Sequence, residues 1–458
     1  MMEQIYESAP GSGIFNQQKY RQKLIILGLL TIALITVSSI LLYWGYDSIP
    51  LKITYAMAGT FLAGTIIMMA QNNERFRMDL DQGLLFIYLG WYVISCLIMT
   101  VKHHGDWVSY NNGALLDTLI CVAICYPIGR ALAKGEGGKV FLGISHILIL
   151  AWAVIMIITL IAIFQGNTLR LPNGRSFRMQ GSSLLLNCNR NTTGLWSMVF
   201  FIGSVCMIIH CKRALWKGIY IISSVVNYFI LALSASRTSQ LSTALAVLGI
   251  VGIMLWVKLP SGIKSFKRFM IAGCAGLLSA ILIWVMRSPV FWLLHLTTGG
   301  VQTAEARDFM NTGAKFLNGR IEVWDYFLKG WTSSIQVFLT GVTPASCTSL
   351  ISEMSNGRWS TYTHNQFLEI GVDTGLIGLG IFGFWFIRVI IQCWKLYFKE
   401  KNKTYRLLIP WFIALLMVCN MFEATLLFYR FMTAYLFFIL CGMMSVPSSE
   451  LKSDTQTG

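Results

Sequence analysis

Asn318-Gly319-Arg320-Ile321-Glu322-Val323-Trp324 and Thr363-His364-Asn365-Gln366-Phe367-Leu368-Glu369 stand in one long polar stretch, roughly Ser288 to Glu369. The rest of the chain is a succession of apolar runs. That contrast decides the fold. Runs near 20 apolar residues have the length that crosses a bilayer as a helix. A connection this long between two of them is functional or disordered, not a simple turn. This one is rich in Trp, Phe and Gly and lacks the charge density of a disordered linker. We expect it to fold and to carry the function, with the flanking helices holding it in place.

Composition agrees. Of 458 residues, 55% are hydrophobic and 12% charged, and the mean hydropathy is +0.62. Soluble domains carry about 25% charged residues, so a large soluble protein with buried helices fits poorly. The expectation is an all-α polytopic membrane protein with about 12 transmembrane helices. Residues 1–23 read as a cytoplasmic N-terminus and 24–286 as helices one to nine. Residues 287–369 read as a large extracytoplasmic loop, 370–446 as helices ten to twelve, and 447–458 as a cytoplasmic tail. The first apolar run is too long for a cleaved signal peptide and no small-residue cleavage site follows it, so a retained anchor is expected.

The net charge of +16 is explained by the positive-inside rule. With the N-terminus inside, the short inside loops carry Arg75 and Arg77, then Arg130, Lys134 and Lys139, then Lys212, Arg213 and Lys217. Lys258, Lys264, Lys267 and Arg268 follow, and finally Lys395 to Arg406. No zinc-finger spacing, basic heptad or aromatic-basic interleaving points to nucleic acid. The outside loops are not poor in positive charge, but their cations are mostly arginine: Arg170, Arg175, Arg178, Arg190, Arg237, Arg287, Arg307, Arg320 and Arg358. Arginine suits planar, bidentate recognition of phosphate or carboxylate. The competing reading is contact with lipid headgroups, which lysine serves equally well.

Eleven cysteines are mostly buried in apolar runs and behave there as small hydrophobes. Cys121 and Cys125 lack a His partner, which argues against a metal site. Cys188 and Cys347 fall in the long outside loops, and whether they pair is open.

Three positions carry candidate chemistry. Arg237 sits in the polar break Ser234-Ala235-Ser236-Arg237-Thr238-Ser239 at the end of a span, where a charge is a functional hypothesis or an interfacial anchor. Arg320 begins a short amphipathic helix marked by Ile321, Trp324, Phe327 and Leu328. Helix N-terminus and guanidinium together favour phosphate, unless Arg320 pairs with Glu322 or Asp325. His364 has the side chain suited to proton transfer at neutral pH, with Asn365 beside it. Glu369, about one turn later, could orient the imidazole or pair with an arginine.

These residue types suit transfer of a sugar from a lipid diphosphate. Arginines neutralise the leaving group, and His364 serves as base for an acceptor hydroxyl. No metal or cofactor is expected, because the outside loops lack the paired carboxylates of a metal-assisted transferase.

Asn318-Gly319-Arg320, Trp324, Gly341, His364-Asn365, Leu368, Glu369, Gly371 and Gly375-Leu376-Ile377-Gly378 together resemble the O-antigen ligase and polymerase superfamily of bacterial envelopes. The Ser234–Ser239 segment matches too, and the resemblance covers roughly Asn189 to Trp385. It implies an enzyme of the inner membrane with its active site on the extracytoplasmic face. The implied donor is an undecaprenyl-diphosphate-linked glycan and the acceptor a glycan or glycolipid. It also implies a diphosphate grip by Arg237 and Arg320, acceptor activation by His364, and a lesser carry-over to Arg190 in Asn189-Arg190-Asn191. Trp324, Asn365 and Glu369 are supporting residues on this reading. No role passes to Arg170, Arg175, Arg178 or Arg358. Polymerase is favoured over ligase because no feature specific to a lipid A acceptor is visible. A glycan-lipid flippase is the alternative of another class. It requires charges within the spans and small loops, whereas here the charges lie in loops and one loop is long.

Overall fold

The computed structural model describes residues 11–46, 49–71, 79–102, 109–165, 167–180, 183–260, 262–297, 319–399, 404–427 and 432–446. Asn318, Arg307, Lys315, Arg75, Arg77, Lys401 and the 447–458 tail lie outside these residues.

The fold is an all-α polytopic one. Nine described helices are long and apolar enough to cross a membrane, beginning with Arg21–Leu42 and ending with Gln366–Lys395. Helix Ile49–Gln71 and the shorter apolar helices Leu407–Asn420 and Met432–Met444 stand where the second, eleventh and twelfth spans were expected. The ninth helix runs on to Thr297, past the expected end at Met286. The fourth is interrupted by a buried π-turn, Cys121–Cys125. The departure from all-α is a small antiparallel sheet, β1 (Leu169–Arg170), β2 (Ser176–Gln180) and β3 (Ser183–Leu185). Phe177 on β2 turns inward with Leu184 on β3, onto a core that holds Trp44, Trp152, Trp196 and Phe200. Arg170, Arg175 and Arg178 are exposed.

The described part of the long insert folds. Helices α11 (Arg320–Trp331), α12 (Ile335–Thr340) and α13 (Pro344–Met354) enclose Val323, Phe327, Trp331, Val337, Cys347 and Ile351. That core is shared with Met99 of the third span and Val372. Apolar residues at helical spacing supply these contacts, as the Ile321–Leu328 pattern predicts.

The tenth span departs from expectation. Helix α14 (Gln366–Lys399) starts at Gln366, ahead of the expected start at residue 370, and breaks at Gly375, where φ is 70° and ψ −177°. The expected boundary between residues 369 and 370 therefore falls inside a helix. A Cβ at Gly375 would lie 2.1 Å from the Leu339 carbonyl oxygen, and one at Gly341 would lie 2.4 Å from the Asp373 carbonyl carbon. Only glycines permit this approach of backbone to backbone. The carbonyls freed near the break are taken up by the insert, as Val342 N donates to Val372 O (2.8 Å) and Thr343 N to Asp373 O (3.0 Å). Buried backbone groups must find such partners. The segment Gln366–Thr374 thus packs as part of the insert, and it carries Glu369 and Asp373.

Candidate active site

Helix ends bring the arginines together. Arg190 opens α7 (Arg190–His210), capped by Asn189 Oδ1, which accepts from Thr192 N at 2.8 Å. Arg237 opens α9 (Arg237–Lys258) directly after Ala235, a non-glycine residue at φ 54°. Gly194 lets α7 lie hard against this turn, since a Cβ there would be 2.5 Å from Ser236 Cβ. Arg287 closes the span Ser265–Arg287. Consecutive spans run in opposite directions, so the starts of α7 and α9 and the end of that span lie at one end of the bundle. Arg320 reaches the same place from α11, with Nη1 3.4 Å from Thr238 Oγ1. Arg237 feels the like charges of Arg190 and Arg320, and Arg287 that of Arg237. Arg287 donates to Gln240 Oε1 at 2.9 Å, and its guanidinium lies 3.6 Å from the Trp284 ring centroid. Gathering like charges in this way costs energy unless an anion joins them.

One carboxylate is already present, and the sequence reading did not select it. Glu423 lies in Phe422-Glu423-Ala424-Thr425-Leu426, between the last two helices, and is 4% exposed. Its Oε1 accepts from Arg320 Nη2 at 2.8 Å and Asn191 Nδ2 at 2.6 Å. Its Oε2 accepts from Tyr362 Oη at 3.2 Å and lies 3.0 Å from His364 Nδ1. Three further hydrogen bonds fix the turn. Asn420 Oδ1 accepts from Thr425 N (2.9 Å), and Gln366 Oε1 accepts from Leu426 N (2.8 Å) and Leu427 N (3.2 Å).

Two alternatives that the sequence left open are not realised. Arg320 pairs neither with Glu322 nor with Asp325. Glu322 takes Arg358 at 2.6 Å, and Asp325 takes Lys329 at 2.6 Å. The carboxylate on the His364 imidazole is that of Glu423, not Glu369. One turn of helix carries Glu369 away from the imidazole, so that it accepts from Thr363 N at 2.9 Å and from the Thr363 hydroxyl. Glu369 therefore supports the backbone beneath His364. Trp324 does the same, its indole donating to Thr363 O at 2.8 Å. Asn365 caps α14, with Oδ1 accepting from Phe367 N (3.0 Å) and Leu368 N (3.2 Å).

His364 sits at φ 54°. A side-chain-bearing residue held there costs roughly 1–3 kcal/mol and persists when its surroundings over-determine it. Here Glu369, Trp324 and Asn365 do so. When Nδ1–H donates to Glu423, Nε2 is left as an acceptor. It faces Thr361 Oγ1 at 3.3 Å. The site thus joins a cluster of guanidinium groups to an oriented imidazole through one shared carboxylate.

Cys188 and Cys347 are both free thiols. Burial, and after it the carboxylates of Glu369 and Asp373, pushes the Cys347 thiol well above its usual range.

The site defines a class, a polytopic membrane protein with clustered arginines and a histidine–carboxylate pair at one end of its helices. Residues 221–383 match the family model of the O-antigen ligases, and the chain carries that family's domain there. The family implies a glycosyl-transfer enzyme acting on lipid-linked glycans in a membrane. The match takes in Arg237, Arg287, Arg320 and His364, and leaves Arg190 and Glu423 outside it. No curated protein and no solved structure matches the chain.

Proposed function

We propose that the chain polymerises undecaprenyl-diphosphate-linked repeat units at the outer face of the cytoplasmic membrane. The observation that carries this reading is the shared carboxylate, since Arg320 and His364 meet on Glu423. An acceptor sugar hydroxyl attacks the anomeric carbon of the donor. The bond from that carbon to the phosphate oxygen breaks, and the acceptor proton passes to His364 Nε2. Undecaprenyl diphosphate leaves with its charge held by Arg237, Arg320 and Arg190, and Arg287 adds a fourth guanidinium. Glu423 holds Nδ1–H and stabilises the imidazolium as it forms, which is the logic of a carboxylate–histidine pair.

The test uses purified chain in proteoliposomes with a lipid-diphosphate-linked repeat unit. A ladder of lengthening products is expected. Transfer of one unit to lipid A core, with no ladder, would make it a ligase. His364→Gln is expected to abolish either outcome, because an amide cannot accept the proton. Orientation is tested separately. Arg175→Cys, exposed, should react with an impermeant thiol reagent on intact cells, and Lys264→Cys, also exposed, should not. The reverse pattern would put the site on the cytoplasmic face.

A further inference from the structure

Beneath the loop that carries His364, a thiol and two carboxylates meet in the buried interior. Cys347 comes from α13, and Glu369 and Asp373 are one turn apart on the same face of α14. All three are at most 1% exposed, and their ligand atoms lie within 4.8 Å of one another. Glu369 spends one oxygen on Thr363. Its other oxygen is 3.7 Å from Cys347 Sγ. Neither oxygen of Asp373 has a hydrogen-bond partner of ordinary geometry, though each is buried.

A buried carboxylate without partners is costly, most of all when charged. No ion pair to Asp373 occurs among the described residues; Glu369 and Cys347 face it, as do the third-span side chains Tyr88, Tyr92 and Cys96, and none of these carries positive charge. The backbone holds Asp373 in this position regardless. Its carbonyl is bound by Thr343 N, and the Gly375 break follows at once. The pocket is therefore built, and what it lacks is positive charge.

We propose that Cys347, Glu369 and Asp373 bind a divalent cation of the zinc type, as a structural brace under the loop that carries His364. Distance and chemistry both favour it. Bonds of about 2.3 Å to sulfur and about 2.0 Å to oxygen give a tetrahedral S···O edge of about 3.5 Å, close to the 3.7 Å found. A thiolate beside two carboxylates selects a borderline cation over calcium or magnesium, which take oxygen alone. On binding, the cation displaces the Cys347 thiol proton, and any proton held between the carboxylates, to solvent. It takes no part in the transfer. Its ligand Glu369 grips Thr363, next to His364, so the ion stiffens the loop from behind. The proposal stands whether or not the glycan reading above is right.

Metal content of the full-length chain tests it. The protein is purified without a metal-affinity step from cells given zinc, washed with chelator and measured by mass spectrometry. About one zinc per chain is expected in the parent. Asp373→Asn and Cys347→Ser should lose it about tenfold, while Asp325→Asn, an exposed acid on α11, should keep it. Less than about 0.1 zinc per parent chain would overturn the proposal, as would full zinc in both ligand variants. Should those variants fail to fold, cobalt loaded into the parent decides. A thiolate-to-cobalt charge-transfer band with intense visible transitions supports the site, and weak octahedral bands without charge transfer sink it.

Discussion

The two ends of the helical bundle handle charge in opposite ways. At the end away from His364, the acids Asp81, Asp79 and Glu136 each have a base, and the surplus lysines of the short loops, such as Lys212, Lys217, Lys264 and Lys267, stand exposed. Arg388 Nε is 2.5 Å from Asp81 Oδ1, and Gln392 takes the other Asp81 oxygen. Arg130 meets Asp79 at 2.5 Å, and Arg21 meets Glu136 at 3.1 Å. These pairs join helices distant in sequence, and each carboxylate has its own cation. At the His364 end, guanidinium groups from four elements converge, and Arg320 among them is paired with Glu423. Matched charge is what a fold needs to tie its helices together. A surplus of one sign, built on helix termini and held by glycine-tight packing, is what a ligand of the other sign needs. The comparison sets ion pairs that tie distant segments together against a gathering of one sign at the His364 end.

The sharpest way to break it is at His364. His364→Ala should lower turnover by about two to four orders of magnitude, the usual contribution of a positioned base, with little change in melting temperature. Asp81→Asn at the opposite end should do the reverse. Removing the charge of the buried Asp81 leaves a partly exposed Arg388 unpaired, at a cost below the roughly 3–5 kcal/mol of a fully buried pair, so the melting temperature falls while turnover per folded molecule holds. Donor-to-product transfer and thermal unfolding, measured on both variants, settle the point. A loss of turnover in Asp81→Asn as large as in His364→Ala would erase the distinction between the ends.

Glu423→Gln comes next. The amide keeps the size and still accepts from Arg320 or Asn191, but it no longer stabilises an imidazolium. Turnover should drop roughly 10- to 100-fold, the range of about 1.5–3 kcal/mol for a hydrogen bond to a charged group. The apparent affinity for inorganic pyrophosphate as inhibitor should not weaken, because Arg320 is released from a competing anion. Opposite movements of turnover and inhibition would mark Glu423 as the link between imidazole and arginines. Weaker pyrophosphate inhibition would mean that Glu423 merely holds Arg320 in place.

Arg320→Lys should lose about tenfold or more in donor use, because lysine keeps the charge and gives up the bidentate fork. Arg388→Lys should leave donor use alone. Equal donor affinity in parent and Arg320→Lys would turn the cluster into headgroup contacts.

The spans, the folding insert, Arg237 and Arg320 were legible in the sequence because each has a local signature, whereas Arg190 came only with the family resemblance. These signatures are a 20-residue apolar run, helical spacing from Ile321 to Leu328, and an arginine at the start of a helix. Arg237, Arg320 and His364 do come together, and Trp324, Asn365 and Glu369 do surround the His364 loop. Glu423 was not legible, because its partners at positions 191, 320, 362 and 364 are remote and sequence spacing does not report such meetings. A signal did exist, a single acid in the otherwise uncharged turn Phe422–Leu426, where burial forces a charge to find partners. The break at Gly375 was hidden for a related reason. Its apolar neighbours continue the pattern of a span, and only the insert backbone pressed against it shows why glycine is required.

The smallest expected effect compares two arginines of the same insert. Arg320 and Arg358 each pair with a glutamate, at 2.8 Å and 2.6 Å. Contact distance alone would rank them together, and the shorter pair is the one assigned no role. The difference is solvent. The Arg320 and Glu423 side chains are 14% and 6% exposed, whereas those of Arg358 and Glu322 are 65% and 35% exposed. An exposed pair is screened by water and salt and contributes about 0–1 kcal/mol. Arg358→Ala should therefore change donor use less than about threefold and shift the melting temperature slightly, and added salt should reduce even that shift. If Arg358→Ala instead matches Arg320→Lys in lost transfer, the anion site extends over the surface of the insert, and the boundary drawn here around the buried cluster is too tight.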